Sequence, residues 1–585
     1  MTSRPGQVGS AAGRAGLIAI GASIVLTFTV AVAGPSVMEP VLAGRPRQPP
    51  WAFDAHLSPY LAVALTAAAL AAGTLGLVLA LRAMRRGWRV PAQAVLVAGL
   101  LAAAALTLVP PFGSSDQLSY AAYGRMLVTG HNPYTTTPAQ LAALGDPVAR
   151  AVQDWFTTSS VYGPLATAIQ GLASLVGGTS ARLTVFMLGL ANLAAFAVTA
   201  LLLHRMTRSD PARQLRAALL WACNPLLLQL VIAGAHVDVQ AVVFCVAAVA
   251  VLFGPWSQGG SCPRVSTAAL AGVLIGLGFA VKVSDVLVGL GLAMALVLRL
   301  WPAWRRLLPL LAAFAAGFAA TAGAAVAIGG PAMLRQLSRE SDMVSIGSPW
   351  RVIRSGIHLV VGGTAATDIV KSGAAVLAVV LAVLLIRGLP GVLPGRTPGP
   401  GETAGPGAPG GGYAAAGASV AFALALAWLF AWPYVLPWYD ALAWALLPLV
   451  PLGPAVEGIY WLLIARTAAL GFGYLPAREA DVTMPSGLSW LQPVVRHGLT
   501  PAVLAVATVW LVVLMIRTRP PGRLVPPGDT RAWASSAMKP QVPGRSASSR
   551  ASGTTLRGPQ GPQGCPGAED TPPEASGAPA RGAGR

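Results

Sequence analysis

Residues 110–134, PPFGSSDQLSYAAYGRMLVTGHNPY, form a polar and aromatic insert behind an apolar run long enough to cross a bilayer. Ser114 and Gln117 have the S-x-x-Q spacing of a capping box, which predicts a helix starting there, and Gly130 reads as its C-terminal stop. Asp116 then falls in the first turn. At roughly 100° per residue, Asp116, Tyr120, Tyr123 and Leu127 share one face, while Arg125 points about the opposite way. A carboxylate is thereby presented beside two phenols, away from the nearest cation. Taken alone, Asp116 has a second explanation, that it complements the helix dipole. Taken with the rest of the chain, the insert reads as the mouth of a membrane-embedded active site.

The surrounding composition sets the class. Of 585 residues, 55% are hydrophobic and 10% charged, with a mean hydropathy of +0.64, which fits a polytopic all-α membrane protein and no soluble domain. The net charge of +20 is spread over short clusters flanking apolar runs and over the C-terminal tail. It reads as topology signals and contacts to anionic membrane lipid, not as a nucleic-acid face. Cys223, Cys245, Cys262 and Cys565 have no metal-ligand spacing and suggest no disulfide framework. Lysine is confined to Lys282, Lys371 and Lys539, a bias that suggests a high-GC bacterial source.

Working outward, Ala15 to Ala33 reads as a first spanning helix or a long signal peptide; Ala31-Val32-Ala33 has the look of a cleavage site, but the run exceeds a usual signal core of roughly 7 to 15 residues, which favours an anchor. Leu61 to Leu81 returns the chain to the cluster Arg82, Arg85, Arg86 and Arg89, which the positive-inside rule places in the cytoplasm. Val90 to Leu108 crosses outward, so the insert is extracytoplasmic. Val161 to Gly177 is expected to be re-entrant or interfacial, because counting it as a crossing would put the basic run from His204 to Arg216 outside. Further crossings are expected at Leu183–Leu203, Leu215–Ile232, Val239–Phe253, Ala268–Val281, Val286–Leu298, Leu307–Ile328, Ala374–Ile386, Tyr413–Trp432, Leu442–Pro454, Ile459–Phe472 and Pro501–Ile516. The expected total is about fourteen, with both termini cytoplasmic. The segments are then N-terminal helices (1–109), an extracytoplasmic catalytic loop (110–182), central helices (183–388), a Pro/Gly-rich cytoplasmic linker (389–412), C-terminal helices (413–516) and a disordered cytoplasmic tail (517–585).

This topology gathers the polar clusters at the external helix ends. They are His236 and Asp238 in GAHVDVQ, Lys282 and Asp285 in VKVSD, the loop with Arg335, Arg339, Glu340, Asp342, Trp350, Arg351 and Arg354, and Trp432, Tyr434, Trp438, Tyr439 and Asp440 in AWPYVLPWYD. Ionisable groups at membrane depth are costly, and their convergence argues for a site. Singly, each has a packing or interfacial explanation, and Asp285 reads as a partner of Lys282.

DQLSYAAYGRMLVTGHNPY, VYGPL, CNPLLL followed by GAHVDV, AVKVSD and YVLPWYDALAWALLPL, in that order, resemble the actinobacterial polyprenyl-phosphate-mannose-dependent α-1,6-mannosyltransferases, membrane glycosyltransferases of the GT-C type. The resemblance covers roughly Pro110 to Pro454. It implies an acidic catalytic base in the first large external loop, which falls on Asp116. Where the family pattern has an Asn between His236 and Asp238 this chain has Val237, and where it has Pro or Thr soon after Lys282 this chain has Ser284.

The residues suit such a reaction. A polyprenyl phosphate is already a good leaving group, so one carboxylate to deprotonate the acceptor suffices, and a single displacement inverts the anomeric carbon. Asp116 is the candidate base, and Lys282 and Arg351 are candidates for the departing phosphate. His236 and Asp238 are candidates for orienting acceptor hydroxyls or, alternatively, holding a divalent cation; no cofactor is otherwise implied. Tyr120, Tyr123, Tyr134, Trp438 and Tyr439 offer faces for sugar stacking. The expected partners are a polyprenyl-phosphate-linked donor, a mannan-type (lipomannan or lipoglycan) acceptor and membrane lipid. Two alternatives stay open at this point: a donor carrying arabinose or another pentose, and a lipid or sugar transporter. Against the transporter, no inverted repeat or pair of matched broken helices is evident.

Overall fold

Hydrocarbon offers backbone N–H and C=O groups no partners, so apolar runs of this length form helices that satisfy themselves. The computed structural model of the chain describes residues 5–254, 263–392, 411–476 and 485–518, all within the compact unit Met1–Pro520. Most of the expected linker and tail, together with Cys262, lies outside the described residues. Among the described residues the protein is all helix, with one isolated bridge between Ser36 and Glu39 and no strand. Among the described residues eight helical stretches are long and apolar enough to cross a membrane, and five shorter apolar helices accompany them. Several expected segments come out nearly as read, as the helices Ala181–Met206, Gly411–Ala431 and Thr500–Arg517, while the helix expected at Ala374–Ile386 starts earlier, as Gly363–Gly388. The count of fourteen is not reached by length alone.

Three departures position the site. The run from Pro211 is broken at Asn224–Pro225: Pro225 has no N–H, Asn224 Oδ1 accepts from Leu226 N at 3.1 Å, and the backbone widens into π turns on either side. The segment then ends with Ala235 at φ 53, which turns His236 inward, its N–H bonded to Val231 O at 3.0 Å.

The helix Trp304–Glu340 runs well past the expected end at Ile328, through a kink at Gly330 (φ 66). Pro331 follows the kink, in the first turn of the resumed segment where its missing N–H costs nothing. This continuation carries Gln336, Arg339 and Glu340 towards the Asp116 insert.

Leu442–Pro454, expected as one crossing helix, is broken into short elements. It folds as a six-residue helix, Ala441–Leu446, and a 3-10 turn, Leu447–Leu449, every residue of 441–450 buried. The stretch leads from Tyr439 at the cavity to the basic helix end, where Glu457 just beyond it pairs with Arg85 at 2.5 Å. It is a core element, and Arg216 closes its end by donating to Val450 O and Leu447 O, each at 2.7 Å.

The re-entrant expectation at 161–177 meets a helix, Pro164–Gly177, of 14 residues. It packs on the Asp116 helix, Asp116–Val128, at a contact so close that a Cβ on Gly124 would stand 2.1 Å from Gln170 O.

Candidate active site

The insert helix begins one residue later than the capping-box reading, at Asp116 with Ser115 as N-cap, and the box does not form. Ser114 Oγ instead accepts from Asp116 N at 3.1 Å, and Gln117 Nε2 donates back to Ser114 O at 3.0 Å. The first-turn position of Asp116 and the Gly130 turn (φ 80) agree with expectation. Arg125 points away from Asp116, donating to Asp146 at 2.7 Å.

Asp116, Ser119, Tyr120 and Tyr123 form one wall of a cavity of about 420 Å³. Leu127, placed on the same face, is exposed beyond its edge and packs near Gly171. A second wall comes from the loop after the helix, with Thr135, Thr137 and Gln140, and a third from Trp155, Thr157, Thr158, Ser159 and Tyr162. The kinked helix closes the opposite side with Gln336, Arg339, Glu340 and nearby Met343, and Tyr434 and Tyr439 complete it.

Asp116 is 9% exposed. Its Oδ1 accepts from Trp155 Nε1 at 3.1 Å, and its Oδ2 lies 3.7 Å from His236 Nδ1. Burial, then the nearby Asp154 carboxylate, raise its pKa to about 7. His236 is held well below its ordinary range by burial and by Lys282, and so is neutral. The phenols of Tyr120 and Tyr162, hydrogen-bonded at 3.2 Å and edge-on at 5.2 Å, are pushed well up by burial and stay protonated. Tyr123 donates to Thr158 O at 2.9 Å.

Lys282 stands one layer behind this cavity. Its Nζ donates to Asp238 Oδ1 at 2.5 Å and sits 3.5 Å from the centre of the Tyr439 ring; Tyr439 itself lines the cavity and donates to Glu340 Oε1 at 3.3 Å. The ion-pair partner of Lys282 is therefore Asp238, not Asp285. Trp438 stacks on His236, centroids 3.5 Å apart and planes 14° from parallel, and faces a separate small cavity with Gln229. Tyr134 bonds Thr167 at 3.2 Å and packs on Ala332 and Met333, away from the cavity lining. Arg351 is exposed on the helix Pro349–His358, also outside the lining, where Arg339 of the same basic stretch stands instead. Among the described residues no group of three or more His, Cys, Asp or Glu side chains is arranged to hold a metal ion.

Asp154, Trp155 and Tyr162 were not singled out as site residues from the sequence. The available signal was QDWF, a lone acidic-aromatic pair between the hydroxyl-rich runs TTTP and TTSS.

Residues 15–299 match the family described as alpha-(1->6)-mannopyranosyltransferase, N-terminal domain. The chain is similar to a probable alpha-(1->6)-mannopyranosyltransferase of Mycolicibacterium smegmatis, 32% identical over 133 residues, or 22% of this chain and 24% of that protein. It is also similar to alpha-(1->6)-mannopyranosyltransferase A of Corynebacterium glutamicum, 29% identical over 131 residues, or 22% and 26%. The matched stretch thus spans about a quarter of the length of these relatives. Among solved structures, ArnT from Cupriavidus metallidurans bound to undecaprenyl phosphate aligns with a TM-score of 0.35 and 14% identity, over 72% of this chain and 77% of that one. The archaeal oligosaccharyltransferase AglB from Archaeoglobus fulgidus, in complex with an inhibitory peptide and a dolichol-phosphate, aligns with a TM-score of 0.32 and 14% identity, over 74% and 56%.

Proposed function

Because residues 15–299 belong to the alpha-(1->6)-mannopyranosyltransferase family through its N-terminal domain, we propose that this protein is a membrane mannosyltransferase. In this reading it moves mannose from a polyprenyl-phosphate donor to an α-1,6-mannan acceptor of lipomannan or lipoglycan type. The observation that carries the chemistry is Asp116: a carboxylate on the wall of a polar cavity, its pKa raised to about 7, where a general base works best near neutral pH.

Asp116 Oδ2 takes the proton of the acceptor hydroxyl as the acceptor oxygen bonds to the sugar's C1. The bond from C1 to the phosphate oxygen breaks, leaving its electron pair on the phosphate, and the anomeric centre inverts. Arg339, on the cavity lining, meets the growing negative charge, with Lys282 adding positive potential from behind Tyr439. Tyr120 and Tyr123 offer faces and hydroxyls to the sugars. His236 and Asp238 hold the wall behind Asp116 and Tyr439.

The orientation proposed is an extracytoplasmic site with cytoplasmic termini. Arg82 and Arg85 close the helix Pro59–Arg85, and the helix Ala92–Thr107 then leads back to the insert. The site thus stands at the opposite helix ends from that basic cluster.

The test is transfer of labelled mannose from polyprenyl-phosphate-mannose in membranes containing the protein, with a polyprenyl-phosphate-linked pentose as competitor. Transfer of mannose, weakly affected by the pentose, is expected. Transfer of the pentose alone would move the assignment to arabinose-type donors, and no transfer from any lipid-linked sugar would remove the enzyme reading.

A further inference from the structure

The loop carrying Asp154 and Trp155 is tied to the Asp116 helix at three points. Ser115 Oγ donates to Asp154 Oδ2, Ser119 Oγ donates to Asp154 O at 3.0 Å, and Trp155 Nε1 donates to Asp116 Oδ1 at 3.1 Å. All three partners lie in the first turn around the carboxylate. Trp155 itself stands at φ 62, in the left-handed region that a bulky L-residue occupies only when its surroundings hold it there. It is no buried packing residue: at 37% exposure it is open along the cavity that it lines. The strained backbone thus aims an indole N–H at a carboxylate while the residue stays partly exposed on the cavity lining.

We infer that Trp155 is a positioning residue for transfer: its indole N–H fixes Asp116 Oδ1 so that Oδ2 meets the acceptor hydroxyl, and its ring face seats a pyranose ring of the acceptor. An aromatic face suits a pyranose because the C–H side of the ring is apolar, and the neighbouring Thr157, Thr158 and Ser159 line the same wall for the hydroxyl rim. The inference rests on Asp116 being the base and adds to it the subsite of the acceptor.

The groups facing Asp116 are Asp154, His236, Asp238 and Lys282, with the phenols of Tyr120, Tyr123 and Tyr162 beside it. Of these contacts, the Trp155 hydrogen bond acts to lower the carboxyl's pKa. Losing that bond alone therefore moves the acid limb of the rate profile to higher pH, since the base works only when deprotonated.

The experiment compares Trp155→Phe and Trp155→Ala with the wild type. Phe keeps an aromatic face and loses the N–H. Its kcat is expected to fall about tenfold or more, with the acceptor KM within about twofold and the acid limb shifted upward. Trp155→Ala is expected to raise the acceptor KM as well, by about tenfold. If Trp155→Phe does not accumulate, replacement of Trp155 by the sulfur isostere 3-benzothienylalanine removes the N–H while keeping the ring shape. An unchanged kcat and an unmoved limb in the variant lacking the N–H would overturn the positioning role, and an unchanged acceptor KM in Trp155→Ala would overturn the subsite. Asp116→Asn assayed alongside separates the two levels. If it is fully active, the base assignment fails; if it is inactive while loss of the indole N–H changes nothing, only the inference about Trp155 fails.

Discussion

Lys282 Nζ lies 2.5 Å from Asp238 Oδ1 and 3.5 Å from the centre of the Tyr439 ring, so one cation is shared between a buried carboxylate and the aromatic wall of the cavity. Lys282 and Asp238 keep 13% and 6% of their side-chain surface. Removing one member strands a charge, which costs about 3–5 kcal/mol, whereas removing both costs less. Lys282→Ala is expected to lower the melting temperature in detergent and to reduce kcat/KM for the donor by about 10–100-fold. Adding Asp238→Asn should recover much of the thermal stability and little of the activity. Recovery of both would make Lys282 a structural partner only.

Arg339 and Arg351 lie in one basic stretch, yet only Arg339 lines the cavity. Arg339→Ala is expected to cost about 10–100-fold in donor kcat/KM, as the loss of a charge-assisted contact to phosphate does. Arg351→Ala should stay within about twofold. The ratio of the two, measured at equal protein abundance, checks the placement of the phosphate; a larger loss from Arg351→Ala would transfer that role to the exposed helix.

As the proposed base Asp116 has to be deprotonated, and its pKa is raised to about 7. Below that pH the carboxyl is neutral, so kcat/KM should fall about tenfold per pH unit on the acid side and level off above it. Asp154 is the second cause of the raised pKa, after burial. Asp154→Asn removes that negative charge and should move the limb to lower pH. A limb that stays put would mean that another group controls the profile.

Asp440, at the end of an aromatic run that pointed to the site, serves the core instead. Its Oδ1 accepts from Arg466 Nε at 2.9 Å and its Oδ2 from Thr467 Oγ1 at 2.7 Å, with Trp444 Nε1 donating to Thr467 at 3.0 Å. Arg466→Ala leaves a fully buried carboxylate without its cation, a loss of about 3–5 kcal/mol. The expected result is a large drop in melting temperature, with the acceptor and donor KM of surviving protein unchanged. A KM change at normal stability would return this pair to the site.

What could be read from the sequence was what depends on local period. Asp116, Tyr120 and Tyr123 come together because they recur on one face of a single helix of 13 residues, and the long apolar runs become helices wherever hydropathy alone decides. Contacts across the chain were not legible. Trp155 reaches Asp116 from a loop without periodicity, 39 positions away. The choice of Arg339 over Arg351 depends on a helix resuming through Gly330 and Pro331, residues that ordinarily mark an end. The break of Leu442–Pro454 into short elements was not legible, because a broken buried segment and a continuous helix have the same hydropathy.

The central claim is that Asp116 is the base of a lipid-linked mannose transfer. The most direct measurement is labelled-mannose transfer to an α-1,6-mannan acceptor by membranes containing equal amounts of the wild-type chain or Asp116→Asn. The amide keeps the shape of the carboxylate and the hydrogen bond from Trp155 but cannot take the proton. The predicted result is robust transfer by the wild type and a loss of at least about 1,000-fold in the variant, near the upper part of what a positioned base contributes. Transfer by Asp116→Asn at a rate close to the wild type would contradict the claim.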